Sequence, residues 1–132
     1  MTSRDEARHL ARRSSEFMTT AKIQFEQGLY GLAAFSLGQA LRLYLKHKLL
    51  LLGVKFPWTH SVRRLLELLT EVSSERCRVA MSYVMERYLM ELSVLEDAYI
   101  TSRYVAGEFS REEVERLYLA VEDILGRLRD VC

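Results

Sequence analysis

Residues 29–52 of the chain read LYGLAAFSLGQALRLYLKHKLLLL. Wound into a helix, this segment places leucine, alanine or an aromatic ring on nearly every side. A helix that is apolar nearly all round is typical of the centre of a bundle, where neighbouring helices cover it. The exceptions are three, three and four residues apart and so share one polar stripe: Ser36, Gln39, Arg42 and Lys46. The segment therefore predicts a fold built around one central helix.

The segments on either side of residues 29–52 also follow helical spacing. The preceding segment carries small or apolar side chains at steps of three and four, which indicates an amphipathic helix that ends near Gly28. These side chains are Ala7, Leu10, Ala11, Ser14, Phe17, Met18, Ala21 and Phe25. On the other side, Gly53 is suited to end the central helix, because glycine adopts the left-handed conformation that closes helices. Thr59 or Ser61 is then the expected N-cap of a short third helix.

The second half of the chain continues the helical pattern. From Ser74 to Tyr99 the apolar spacing fits either one long helix or two helices that break near residues 92–93. A last helix is predicted to begin at Ser110, which forms a capping box with Glu113. No segment alternates as a strand would. We therefore expect a single all-α domain over residues 1–132, an up-down antiparallel bundle of four main helices plus one or two short helices.

Charge is distributed unevenly along this sequence. From Gln27 to Leu66 the chain has no Asp or Glu, and two of its three His lie in this stretch. The same stretch carries six basic residues: Arg42, Lys46, Lys48, Lys55, Arg63 and Arg64. A purely cationic surface suits an anionic partner, which would be a nucleotide, an RNA backbone or the acidic half of another subunit. The alternative is internal neutralisation, because residues 1–64 have a net charge of +7 and residues 65–132 one of −6.

Several classes of protein are disfavoured by the composition. Cys77 and Cys132 are too few and too scattered for a disulfide framework or a zinc site. The sequence lacks a Gly-rich phosphate loop, a metal-ligand cluster and a nucleophile elbow, so we expect no cofactor. No apolar secretory leader is present and the leucine run at residues 49–52 is too short to span a membrane, so we expect a cytoplasmic protein. The lack of Asn suggests a thermophilic source.

Three short motifs, in order, resemble one known family. The central helix contains AAFSLGQA at residues 33–40, a PWTH motif follows at residues 57–60, and YITSRY stands late in the chain at residues 99–104. In order and spacing these are similar to the HEPN domain, over about residues 6–128. The resemblance implies a small helical bundle that is usually a homodimer. It also implies a toxin–antitoxin-like pairing with a minimal nucleotidyltransferase.

Some members of the family that this chain resembles are metal-independent ribonucleases. Their signature is an Arg followed after four to six residues by a His, near the start of the last helix. Arg103 stands at that place, but no His follows it anywhere later in the sequence. The spacing from Arg4 to His9 matches, yet it lies in the first helix, where the family has no active site. The resemblance therefore leans against an enzyme and leaves a degenerate ribonuclease toxin as an alternative.

The predicted binding site combines this motif with the polar stripe. A guanidinium can fork onto phosphate while a tyrosine ring stacks on a base, which gives a role to Arg103 and to Tyr104 or Tyr99. The stripe residues Lys46 and Arg42 would add positive field, with Gln39 beside them. In the alternative reading, both tyrosines belong to the core and Arg103 pairs with a nearby acid: Glu96, Asp97 or Glu108. The stripe would then pair with acids of later helices, such as Glu86 or Glu91.

Other residues also leave two readings open. For Thr59-His60 we favour a helix cap and a loop-anchoring hydrogen bond over general-base chemistry. Phe56 and Trp58 would either form an exposed aromatic patch or cover the open end of the bundle. We expect His47, between two lysines, to be solvated. Three functions follow: binding of a nucleotide or RNA beside a nucleotidyltransferase partner, the ribonuclease alternative, and a non-enzymatic dimerisation or interaction module.

Overall fold

The structure is a computed structural model that describes residues 2–56, 58–100 and 109–132, apart from the side chains of residues 97–100. Within these residues it contains six helices and no strand. They are α1 (Ser3–Glu26), α2 (Tyr30–Leu51), α3 (Val62–Val72), α4 (Glu75–Arg87), α5 (Leu89–Ile100) and α6 (Arg111–Val131). The all-α prediction is confirmed. The helices α4 and α5 lie where the sequence allowed either one long helix or two.

The helices α1 and α2 form a closely packed antiparallel hairpin. The hydroxyl of Ser14 donates to the carbonyl of Ala40, and the ring of His47 contacts the carbonyl of Ala7, so residues equally far from the turn meet. The buried residues of α1 are small and seven apart, namely Ala7, Ser14 and Ala21. Small side chains at that spacing let the two backbones approach closely. Gly28, with φ +78°, makes the turn between the two helices.

The predicted central position of α2 is confirmed. Half of its residues are buried, and it packs against α1, α3, α5 and α6. The leucines at positions 37, 41, 45 and 49 are fully buried. Gly53 follows with φ +76° and its amide donates to the carbonyl of Leu50, which ends the helix as expected.

The chain between Ser74 and residue 100 forms two helices, and the break lies at Tyr88, a few residues before the predicted site. Tyr88 leaves the helical conformation, with φ −111° and ψ 31°, and its hydroxyl donates a hydrogen bond to Asp123 of α6. The sequence has no Gly or Pro between residues 58 and 106 to mark such a break. Contact with α6 accompanies the change of direction instead.

The two cysteines form a disulfide, a single bridge that the sequence analysis did not predict. Cys77 lies in the first turn of α4 and Cys132 follows the end of α6, with their Cα atoms 4.8 Å apart. Packing of α4 against α6 brings together two residues that are 55 positions apart. A single pair gives no spacing pattern, so its connection depends on the fold.

The predicted helix caps agree with the structure. The capping box of Ser110 with Glu113 is present at α6. Ser61, rather than Thr59, caps α3, and its hydroxyl accepts from the amide of Arg64 at 3.1 Å. Of the helices described, none is long and apolar enough to cross a membrane.

Candidate functional site

The six predicted site residues divide into two groups of three. Arg103 and Tyr104 lie outside the described residues, as does the side chain of Tyr99. The backbone of Tyr99 continues α5. Gln39, Arg42 and Lys46 lie on α2, among the residues that the structure describes. The geometry of the candidate site is therefore built from α2 and from the elements that contact it.

Arg42 is a buried structural residue, with 2% of its surface exposed. Its Nε donates to the carbonyl of His60, and its Nη2 donates to the carbonyl of Leu95 at 2.9 Å. Nη1 donates to the Oε1 of Gln39 at 3.5 Å. The planar guanidinium thus joins α2 to α5 and to the loop that precedes α3.

The expectation that the stripe faces solvent, a cleft or another subunit is therefore wrong for Arg42. Its described partners are also not Glu86 or Glu91. A buried cation needs acceptors that compensate for lost hydration, and backbone carbonyls serve here. Since every residue carries a carbonyl, composition gives no sign of such a partner.

Gly38 makes the room in which the Arg42 guanidinium lies. A Cβ atom added at Gly38 would stand 2.5 Å from Nη1 of Arg42, closer than van der Waals contact allows. Glycine in a helix interior costs about 1 kcal/mol relative to alanine. The close approach of the guanidinium explains why residue 38 is glycine although alanine would favour the helix.

The N-terminus of α3 is already occupied by a carboxylate. The Oε1 atom of Glu96 on α5 accepts from the hydroxyl of Ser61 at 2.9 Å and from the amide of Arg63 at 2.8 Å. The guanidinium of Arg63 donates to the hydroxyl of Ser93 at 3.2 Å. An acidic side chain here complements the helix dipole, so this depression between α3 and α5 is not an open anion site.

Lys46 lies on α2 one turn after Arg42 and is half-buried. Its Nζ lies 5.2 Å from the centre of the Phe56 ring, within the range of a cation–π interaction. Burial, and secondarily the charge of Arg42, lower the pKa of Lys46. The ammonium is thus held against the loop between α2 and α3, where it adds positive potential.

The structure separates the two aromatic residues of that loop. Phe56 is half-buried beneath Lys46, whereas Trp58 is 102% exposed. In the sequence on either side of Trp58, the side chains of Lys55, Arg63 and Arg64 are also exposed. The acid-free stretch therefore presents both cations and an uncovered indole ring. These residues were outside the predicted site, although the missing carboxylates in the sequence pointed to them.

The expectation of a solvated His47 is wrong. The residue is half-buried, its Nδ1 lies 2.6 Å from the carbonyl oxygen of Ala7, and its ring centre is 5.0 Å from that of Tyr44. Because a carbonyl oxygen only accepts, Nδ1 carries the proton in this contact. Burial lowers the pKa of His47, the bond to Ala7 partly opposes that change, and the charge of Lys48 adds to it. His47 therefore stabilises the α1–α2 hairpin.

The arrangement is suited to binding anions and flat rings. Among the side chains that the structure describes, no three His, Cys, Asp or Glu are grouped to hold a metal ion. The family model for the HEPN domain matches residues 7–131, nearly the whole chain. No curated protein and no solved structure matches the chain at a significant level.

Proposed function

The chain belongs to the HEPN domain family, and on that premise we propose that it binds a nucleotide or RNA. The proposal includes a minimal nucleotidyltransferase as its protein partner in a toxin–antitoxin-like pair, and a homodimer as its own assembly. The observation that supports the proposal most directly is the cationic surface of the acid-free stretch. Phosphate groups are the ligands that such a surface attracts most strongly.

The charge of that surface is directed outwards. Lys55, Arg63 and Arg64 are exposed, and within the described part of the chain none of them forms an ion pair. Internal neutralisation would have required the carboxylates of α4 to α6 to face these side chains. Glu96 does face α3, but it accepts from a hydroxyl and a backbone amide.

The ligand contacts of the proposal are made by residues around the end of α5. Arg103 holds a phosphate group, and Tyr104 or Tyr99 stacks on the base. Lys46 supplies positive potential from α2. Direct stacking and a guanidinium fork need no metal ion, which is consistent with binding by so small a domain.

Arg42 and Gln39 act in this proposal by positioning other residues. The Arg42 guanidinium bonds to the carbonyl of Leu95 in α5, eight residues before Arg103 in the chain. By fixing α5 against α2, it sets the point from which the segment containing Arg103 departs. Gln39 contributes as an acceptor, because its Oε1 atom accepts a hydrogen bond from Arg42.

The test is a binding titration with ATP and with a ten-nucleotide single-stranded RNA, at low and at moderate salt. We expect affinity for the RNA to fall as salt rises, because each neutralised phosphate releases counterions. Arg103→Ala should weaken binding by about tenfold or more, as expected for a charge-assisted contact. Arg76→Ala, which removes an exposed cation from the start of α4, is the matched control. Affinity that is independent of salt, or unchanged in Arg103→Ala, would refute the cationic-site mechanism.

The assembly is tested by measuring mass with light scattering across a salt series. The proposed homodimer should persist at moderate salt, and the nucleotidyltransferase should add to its mass when the two proteins are mixed. A dimer that dissociates at high salt and binds neither ATP nor RNA would instead identify a simple interaction module.

A further inference from the structure

We infer that the surface formed by Lys55, Trp58, Arg63 and Arg64, here called the Trp58 platform, stacks the bases of single-stranded nucleic acid. The inference rests on the proposed function and deepens it, because it names the form of nucleic acid and a second place of contact. It differs from the contacts proposed for Arg103, a residue that follows α5 in the sequence.

The exposure of Trp58 is the first observation. The residue is 102% exposed, and among the described residues none is recorded in contact with its indole ring. In the same loop, Phe56 is half-buried beneath Lys46, so this loop can hold an aromatic ring in a covered position. A large uncovered ring is a typical mark of an interaction surface, and aromatic rings are frequent anchors of such surfaces.

The charge around Trp58 is the second observation. Lys55 lies three residues before it, and Arg63 and Arg64 lie in the first turn of α3 that follows. All three are exposed and, among the described residues, form no ion pair. The first acid that follows Trp58 in the sequence is Glu67, one turn further into α3. Along the sequence, exposed cations therefore flank Trp58 on both sides.

Single-stranded nucleic acid fits both features better than an acidic protein segment does. A carboxylate-rich peptide would pair with the cations but would bring no flat ring to cover the indole. A single strand supplies a phosphate and an unpaired base in every nucleotide, and bases stack on aromatic side chains with little regard to sequence. In a duplex the base faces are already stacked on each other, so a double strand would leave Trp58 uncovered.

Trp58 is the only tryptophan of the chain, so intrinsic fluorescence reports on the platform directly. The full chain is titrated with 12-nucleotide oligo(U) and oligo(A), with the equivalent DNA strands, and with a 12-base-pair duplex. We expect single strands to quench the Trp58 emission, with a midpoint that matches the anisotropy change of a labelled strand. The RNA and DNA arms reveal which sugar is preferred, and the duplex should quench weakly.

Variants of the platform separate stacking from charge. Trp58→Ala should weaken single-strand binding about 5- to 150-fold, the range expected for loss of one base–aromatic stack, and Trp58→Phe should weaken it less. Arg64→Ala should reduce the slope of log affinity against log salt by about 0.7. Arg76→Ala is again the control, since it lies beyond the far end of α3, about 16 Å away along that helix. Glu67→Gln should tighten binding, because it removes the acid that is nearest to these cations along the sequence.

The outcomes distinguish this inference from the proposed function. If strands bind while Trp58 emission is unchanged and Trp58→Ala binds as the wild type does, the platform is refuted and the Arg103 proposal stands. If no strand and no ATP binds, both are refuted. Quenching by poly-glutamate but by no oligonucleotide would also refute the platform and would identify a protein-binding surface. Because Trp58 is fully exposed, its variants should melt as the wild type does, which circular dichroism verifies.

Discussion

The disulfide between Cys77 and Cys132 closes a loop of 55 residues, and opening it should destabilise the protein strongly. In the chain-entropy treatment, a loop of this length restricts the unfolded chain by about 14 cal/mol/K, which amounts to about 4 kcal/mol at 25 °C. For a chain of 132 residues, the entropy of unfolding is roughly 280 cal/mol/K near 60 °C. Reduction should therefore lower Tm by about 15 °C.

The measurement is a pair of thermal melts and a pair of urea titrations, with and without a phosphine reductant. Thiol titration of the unfolded protein verifies that the bridge is open. The reduced chain should also show a larger m-value, because its unfolded state is less compact and exposes more surface. Cys132→Ser, which leaves Cys77 in place in the core, is the matched variant and should resemble the reduced wild type.

Two results would refute this reasoning. If Tm falls by less than about 3 °C while both thiols titrate, the closed loop contributes little to stability. If Tm falls as expected but m does not rise, the bridge acts on the native packing of α4 and α6 and not on the unfolded chain.

Three further predictions concern individual contacts, each measured by urea unfolding. Gly38→Ala should destabilise the protein, although helix propensity alone predicts a gain in stability of about 1 kcal/mol. In an Arg42→Met background no guanidinium fills the space, so the gain in stability should appear. Arg42→Met alone should cost about 3 kcal/mol, because the buried carbonyl of Leu95 and the part-buried contact with the carbonyl of His60 lose their donor. Because the folded-state pKa of His47 lies below 6.5, its contribution to stability is complete above pH 6.5 and is lost as pH falls below that value, and His47→Gln should remove this dependence.

Matched controls exist for these contacts. Gly126 of α6 has only an ordinary contact where a Cβ would be added, 3.7 Å from Arg129, so Gly126→Ala should stabilise the protein. Gly38→Ala and Gly126→Ala with equal effects would contradict the role assigned to Arg42.

The parts of the fold that the sequence predicted well depend on local signals. The amphipathic spacing of α1, the all-round apolar character of α2 and the capping box at Ser110 each lie within a few turns of chain. The break at Tyr88 was misplaced because it depends on Asp123, 35 residues away, and carries no Gly or Pro. Pairing of the cysteines likewise depends on the packing of α4 against α6.

For the candidate site, the spacing predicted a stripe shared by residues of α2 but not the direction in which each side chain points. Arg42 and Lys46 lie on one stripe of α2, yet the first points into the core and the second toward the α2–α3 loop. Nothing in spacing alone separates a cation that finds carbonyl partners from one that faces a ligand. The exposure of Trp58 was one of two readings left open, because a loop of few residues gives no periodic signal.

The bond between Cys77 and Cys132 also divides the molecule topologically. It makes α4, α5 and α6 part of one covalent ring, with α1, α2 and α3 as a tail. A protease that cuts one peptide bond inside the ring leaves the chain in a single piece, visible as two fragments only after thiol is added. Arg103 stands within the ring, so the piece that carries it stays covalently attached after one such cut, through either Cys77 or Cys132.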